Sequence, residues 1–433
     1  MSPTFASLRI RNYRYYAAGG VVSNVGTWVQ RVAQDWLVLQ LSHGAGSALG
    51  ITTGLQFLPM LLFGMVGGII ADRYPKRRVL VLANAFMGLV ALTLGVLVIT
   101  DVVRIWHVYL LAFLLGLGTA VENPTRQSFV VEMVGQKDLP NAVGLNSASF
   151  NAARIVGPAA AGFLIAWFGN KTGPLFVLNA VSYLAVIAAL RVMRESELAP
   201  APVSGRHPGQ LVEGLRYVAG RPDLWLVLLM VFFIGTFGLN FQITTALMAT
   251  QVFGKGSGQY GLLGSIMAIG SLTGALLAAR RGKPTTKALI GGAMLFGVLE
   301  TAAGLMPGYW WFALVLIPVG VSSITFITSA NASMQIGVDP LMRGRVMALY
   351  MTVFFGGTPL GAPIIGAAAE AFGARWSLLI GGLVSVAAAG VAGLLLIRQR
   401  GITVRDGLRT FAPHRQPVPE PLAQTVTEVR QEA

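Results

Sequence analysis

Twelve mostly apolar stretches of about 20 residues or more run along this chain, near 14–40, 46–71, 79–100, 105–128, 141–168, 173–193, 224–252, 258–279, 286–306, 309–337, 346–372 and 375–397. Lipid offers the backbone no hydrogen-bond partner, so a spanning segment must pair its own amides, and a helix of about 20 apolar residues is long enough to do so. Twelve transmembrane helices are therefore expected. Of the 433 residues, 54% are hydrophobic and only 11% are charged, against about 25% charged in soluble proteins. So little charge cannot wet a globule of this size, which excludes a soluble enzyme. The chain has no cysteine, and its four histidines show no ligand spacing. Disulfides, thiolate zinc sites and a cysteine nucleophile drop out together; no metal, cofactor or enzymatic site is expected.

The basic residues are sorted by loop. Of 32 Lys and Arg, 25 fall in alternate loops and at the two ends, while Arg104, Lys171, Lys255 and Arg375 fall on the other side. Cytoplasmic loops carry the Lys/Arg excess, so both termini are expected in the cytoplasm of a multi-pass cell-membrane protein. The net charge of +15 then points to a lipid bilayer as partner and not to nucleic acid. The longest polar interruption before the tail, 194–223, holds Pro200, Pro202, Pro208 and Pro222 and a short amphipathic run from Gln210 to Val218. It separates a first six-helix half (1–193) from a second (224–397), as a cytoplasmic linker whose helix lies on the membrane surface. Residues 398–433 are expected to be a disordered tail. A shift of 204 aligns Gly157 with Gly361 and Gly162 with Gly366, and a shift of 207 aligns Gly67 with Gly274 and Arg73 with Arg280. Such internal repeats around a midplane site are the architecture of secondary transporters.

Polar residues inside the spans carry most of the functional signal. In the first span Asn24, Trp28, Arg31 and Asp35 share one helical stripe, and Ser147, Asn151, Arg154 and Pro158 repeat that spacing in the fifth. Gly118, Glu122, Thr125 and Arg126 do similarly in the fourth. An ionised group at a helix centre in lipid costs at least ~2.5–3.5 kcal/mol, so these groups should face a wet cavity or one another. Glu122 is expected to neutralise Arg154 or Arg126. Fixed structural pairs, Asp35 with Arg31 and Glu122 with Arg154, are the alternative. The second half offers Asn240, Gln242, Thr244, Thr328, Asn331 and Gln335 but no deep charge, with Glu300 and Glu370 toward the outer ends of their spans. A cavity charged on one wall and neutral-polar on the other suits a large amphiphile, and Asn24, Trp28, Asn151, Asn240, Asn331 and Gln335 are the candidates to line it. With no histidine at a span centre, Asp35 and Glu122 are the candidates for proton coupling. Arg31, Arg126 and Arg154 would tune them or hold an anionic substrate group.

Two motifs bring in a resemblance. The second loop reads Gly68-Ile-Ile-Ala-Asp72-Arg73-Tyr-Pro75-Lys76-Arg77-Arg78 and resembles the loop 2–3 signature of the major facilitator superfamily, with Pro75 in place of its second glycine. The resemblance implies that Asp72, with Gly68, Arg73, Lys76 and Arg77, gates the cytoplasmic end of span 2 against span 11. Ala153-Arg154-Ile-Val-Gly157-Pro158-Ala-Ala-Ala161-Gly162 resembles the antiporter motif of that superfamily. It implies that Gly157, Pro158 and Gly162 pack on span 8, which offers Gly264, Gly270 and Gly274. Glu122-Asn123-Pro124-Thr125-Arg126-Gln127, together with Gly26-Thr27-Trp28-Val29-Gln30-Arg31, is similar to the drug:proton antiporter branch that includes enterobactin-exporter and macrolide-efflux proteins. The expectation is an all-α fold of two pseudo-symmetric six-helix bundles. It would act as a monomeric, proton-gradient-driven exporter of an amphiphilic small molecule by alternating access. Uptake on the same fold, or a non-transporting receptor or assembly subunit, is the alternative.

Overall fold

The computed structural model describes residues 3–199, 210–280, 286–339 and 342–399. Met1–Ala392 form one compact unit; the second unit, Gly393–Ala433, contributes the end of the last helix. Among the described residues every regular element is helical: α1 (Arg11–Leu41), α2 (Gly46–Arg73), α3 (Lys76–Ile99), α4 (Ile105–Trp167), α5 (Gly173–Val192), α6 (Gln210–Ala219), α7 (Pro222–Phe233), α8 (Phe241–Leu247), α9 (Ser257–Arg280), α10 (Thr286–Gly304), α11 (Tyr309–Ile336), α12 (Arg343–Phe372) and α13 (Ala374–Gln399). π-helical turns at Ile234–Gly238 and Met248–Val252 join α7, α8 and the loop beyond. Nine of the described helical stretches are long and apolar enough to cross a membrane, and Ala288–Gly304 is a shorter apolar one. The 63 residues of α4 span ~95 Å at 1.5 Å per residue, far more than one bilayer core of about 30 Å, so α4 is two crossings. With α1, whose polar stripe lowers its hydropathy, and α10, the fold is twelve transmembrane helices in two six-helix bundles.

The connection between the fourth and fifth spans is helical, where a polar loop was expected. Its one break is Gly135, at φ +69° and ψ 177°, a region open essentially to glycine alone. Nothing lies within 4 Å of where a Cβ would sit there, so the dihedral is the constraint and not space. Gly135→Ala should therefore cost about 1–3 kcal/mol; a thermal unfolding midpoint in detergent equal to that of the parent would show that the corner tolerates a side chain.

The seventh span, expected as one continuous helix, is wound as α7, a π turn, α8 and a second π turn. The linker helix α6 was expected to lie on the membrane surface. It is tied to the start of α12, where Glu213 pairs with Arg345 at 2.9 Å. A Cβ on Gly214 would lie 2.9 Å from the Arg345 carbonyl oxygen. Linker residues 200–209 and the tail beyond Gln399 lie outside the described residues.

The helix ends carrying Arg73, Lys76, Arg191, Arg194 and Arg345 define a basic face. Beneath it Tyr13, Leu80, Phe129, Met133 and Leu190 form a buried cluster, and the Tyr13 hydroxyl donates to the Ala142 carbonyl at 2.8 Å. The two halves meet along two glycine seams near the opposite face. On α2 and α12, Cβ atoms at Gly46, Gly50 and Gly54 would lie 2.6 Å from Gly366 O, 2.9 Å from Pro363 Cα and 3.1 Å from Pro363 Cγ. On α4 and α9, a Cβ at Gly162 would lie 3.0 Å from Gly258 Cα, and one at Gly261 3.0 Å from the Pro158 carbonyl carbon. Nearer the basic face the seams let go. Gly64 and Gly67 of α2 meet Met60 and Ala120 of their own half, and Gly270 and Gly274 of α9 meet Ile317 and Val321 of α11. The expected packing of Gly270 and Gly274 on span 5 is thus corrected: Gly261 and Gly264 take that role, because the two later glycines of α9 turn to α11.

Candidate functional site

Between the two seams and the basic face lies a cavity of about 260 Å³, lined by Trp28, Arg31, Phe57 and Arg154 from the first half and Asn240, Phe241, Gln242, Tyr260 and Thr358 from the second. Trp28 organises the first wall. Gly157 has no Cβ, so the Trp28 backbone and Cβ pack directly on α4. The Arg31 guanidinium stands 4.9 Å over the indole and 5.9 Å from Phe57, and that of Arg154 stands 6.0 Å from the same indole. Stacking on an aromatic face eases the desolvation of a guanidinium. Among the described residues neither arginine makes an ion pair; Arg154 reaches only the Ser271 hydroxyl, at 3.5 Å. The Trp28 indole N–H is also buried without an acceptor. Two guanidiniums without a carboxylate partner among the described residues thus face one chamber.

Asp35 lies behind the second wall and not in the chamber itself. It is 4% exposed, and its Oδ2 accepts the Tyr260 hydroxyl at 2.7 Å. Its expected partner Arg31 turns to the indole instead, so the Asp35–Arg31 pair is corrected to an Asp35–Tyr260 bond that joins α1 to α9 across the halves. Glu122 lies 3.2 Å from Arg126. Arg154, the other partner expected for it, is in the central chamber. Glu122 and Arg126 line a second cavity of about 330 Å³ with Tyr13, Tyr16, Asn24 and Asn146, nearer the basic face. Asn24 donates to the Ser149 hydroxyl at 3.2 Å.

The remaining candidates divide. Asn240 is on the central wall, its amide donating to the Thr236 carbonyl at 2.7 Å. Asn151 bonds the Ser147 carbonyl at 2.8 Å, and Gln335 donates to Asn331 at 2.5 Å; these three line neither cavity. In the loop motif Gly68 is buried, Asp72 is half-buried and Arg73 is exposed. Lys76 binds Glu132 at 2.6 Å, and Arg77 binds Glu195 and the carbonyls of Leu190 and Arg191 at 2.6 and 3.0 Å. Both cations thus tie the corner between α2 and α3 to its own half. Pro158 lines the chamber and packs on Gly264, where a Cβ would lie 3.1 Å from Pro158 Cβ.

Sequence reasoning passed over Tyr260, Phe57 and Gly261. Tyr260 had a signal: a phenol hydroxyl inside an apolar span needs a polar partner.

The family described as transmembrane secretion effectors matches residues 2–428. The chain belongs to that family, of the major facilitator type. Similar proteins include the staphyloferrin A transporter of Staphylococcus aureus (24% identical over 368 residues, 83% of this chain and 90% of that one). The macrolide efflux protein A of Streptococcus pyogenes is 23% identical over 375 residues, 85% of this chain and 92% of that one. The multidrug efflux pump Tap of Mycobacterium bovis is 29% identical over 381 residues, 83% of this chain and 87% of that one. Among solved structures, a bacterial homologue of the lysosomal transporter Spinster, inward-facing and unoccupied, superposes with a TM-score of 0.72 at 15% identity, over 90% of this chain and 97% of that one. A D-xylose–proton symporter superposes with a TM-score of 0.68 at 14% identity, over 91% and 98%. Family membership makes the chain a multi-pass membrane transporter of small molecules and not an enzyme.

Proposed function

We propose that this transporter exports an amphiphilic small molecule carrying an anionic or acceptor-rich group, in exchange for protons. The observation that carries the substrate class is the pair of unpaired guanidiniums, Arg31 and Arg154, stacked on Trp28 in one aromatic-lined chamber. Arginines without a carboxylate attract an anionic head, while Trp28, Phe57 and Phe241 take an apolar body. Relatives named for macrolide efflux and multidrug efflux support export as the direction. The Lys/Arg-rich face supports a cytoplasmic placement of both termini. On that placement the glycine seams close the outer side, and the chamber is reached from the cytoplasm. The second state of an alternating-access cycle would part those seams and close the basic face around Asp72.

The Asp35–Tyr260 bond supplies a coupling logic. An ionised Asp35 accepts a charge-assisted hydrogen bond, worth about 1.5–3 kcal/mol against about 0.5–1.5 for a neutral one. The empty carrier is thereby held shut across α1 and α9. A proton on Asp35 weakens the tie, and a substrate that engages Tyr260 from the chamber displaces it. Either ligand frees the carrier to change state and the empty protein stays put, which is the requirement for exchange. Glu122, held to Arg126 in the second cavity, is the other titratable group on the path.

The test is transport into liposomes with the basic face outward, using a fluorescent amphiphilic carboxylate as probe and an imposed pH gradient. Accumulation against the probe gradient while protons leave the lumen, abolished by a protonophore, is expected. Accumulation in step with proton entry would make the protein an uptake symporter. No movement of this probe or of a panel of amphiphiles would make it a receptor or assembly subunit.

A further inference from the structure

Glu300 is the acidic side chain the transport scheme leaves unused. Its place four residues before the end of α10 suggested access to water. Instead it is 1% exposed, and both carboxyl oxygens are buried without a hydrogen-bond partner among the described residues. Two glycines make room for it. Its Oε2 lies 3.2 Å, and Ser385 Oγ 2.8 Å, from where a Cβ on Gly238 would be. Its Oε1 and the Phe237 carbonyl oxygen each lie 2.7 Å from where a Cβ on Gly381 would be. The Ser385 hydroxyl is already committed to the Gly381 carbonyl at 2.7 Å.

Among the described residues no cation is paired with this carboxyl. On the elements packed around it the described charged or titratable residues are Asp223, Tyr309, Arg375 and Arg398, the last 13 residues (~20 Å) beyond Ser385 along α13. Asp223 binds Arg221 at 2.8 Å, Tyr309 donates to the Gln259 carbonyl at 2.9 Å, and Arg375 donates to the Gly304 carbonyl at 2.7 Å. Lys287 of α10 itself lies ~20 Å away along the helix. An ionised carboxylate in such a place would lose several kcal/mol of hydration with nothing to offset it. A neutral carboxyl can stay, and the Phe237 carbonyl oxygen, which borders the same Gly381 position, is an acceptor of the right kind close by. That carbonyl also accepts the Asn240 amide at 3.2 Å, and Asn240 lines the central chamber. The backbone here is π-wound, a winding often found at functional sites. One carbonyl thus stands between a chamber residue and a buried acid, on a helix whose hydrogen-bond ladder is already interrupted.

We propose that Glu300 is a second proton-carrying site, on the half that does not hold Asp35, and that its proton is exchanged as the interrupted helix between Ile234 and Val252 rearranges. The coupling part of this inference rests on the proton-driven exchange proposed above; the proton site does not.

Infrared spectroscopy of the full chain in liposomes tests the site directly, because a protonated carboxyl has a C=O stretch separate from the carboxylate bands. At neutral and mildly alkaline pH the parent should show a band that Glu300→Gln removes and that Glu370→Gln, a change at an exposed acid, leaves. An unchanged band in Glu300→Gln would mean that Glu300 is ionised, and would overturn the proposal whatever the transport result. In the second arm, Glu300→Gln is expected to cut gradient-driven accumulation of the amphiphilic carboxylate about tenfold or more, a loss within the usual range of site-to-site coupling. Binding of the probe, read by tryptophan quenching, should stay within about twofold of the parent. Accumulation equal to the parent removes Glu300 from the coupling. A parent that moves no probe overturns the exchange reading and the coupling role with it, while the infrared arm still decides the proton site.

Discussion

Asp35→Asn is expected to abolish gradient-driven accumulation of an amphiphilic carboxylate, and Tyr260→Phe to let protons leak through a carrier that still moves the probe down its own gradient. The asparagine keeps the size of Asp35 and its ability to accept from Tyr260 but has no proton to exchange. The phenylalanine keeps the ring and removes the hydroxyl that donates to Asp35. If the charge-assisted bond locks the empty carrier, losing it lowers the barrier to empty cycling by about 1.5–3 kcal/mol. That corresponds to a leak about 10–150 times faster, read with a pH dye in the liposome lumen. A Tyr260→Phe leak no faster than that of the parent would remove the lock. Undiminished accumulation in Asp35→Asn would remove Asp35 from the coupling altogether.

Gly162→Leu should open the face that the structure holds shut. A Cβ at this position already lies 2.5 Å from the Ser257 carbonyl oxygen and 3.0 Å from Gly258 Cα, so a branched side chain has no room while α4 and α9 stay in contact. Overpacking of this kind costs typically about 1–3 kcal/mol, and every 1.4 kcal/mol is about tenfold in population. The chain has no cysteine of its own, so Thr358→Cys on the chamber wall can serve as the single thiol. A membrane-impermeant thiol reagent added from the side opposite the basic face should label it about ten to a hundred times faster with Gly162→Leu than without. Equal labelling would mean that this seam is not the barrier on that side.

The fold was legible because its dominant signal is local. Runs of apolar residues and the alternation of loop charge each report on one segment at a time. The corner at Gly135 was not legible, because a polar connection can be helical or irregular and only its dihedrals distinguish the two. For the site, the stripe of Asn24, Trp28, Arg31 and Asp35 showed which side of α1 avoids lipid. A stripe fixes direction on its own helix but not the depth at which another helix crosses it. That depth sends Arg31 and Arg154 to one chamber, Glu122 and Arg126 to another, and Asp35 to a tyrosine on α9. Glu300 failed for a related reason: distance from a helix end was taken as nearness to water, while Gly238 and Gly381 let neighbouring backbones cover it.

The run of α4, interrupted at Gly135, has a mechanical consequence. Helical turns on both sides of Gly135 leave one pair of soft torsions between the limb bearing Glu122 and the limb bearing Arg154 and Pro158. A swing of the second limb is therefore transmitted through a single elbow to the first. The carboxylate near the basic face and the proline at the far seam are thus geared together, and a slack hinge inserted beside Gly135 would let one turn without the other.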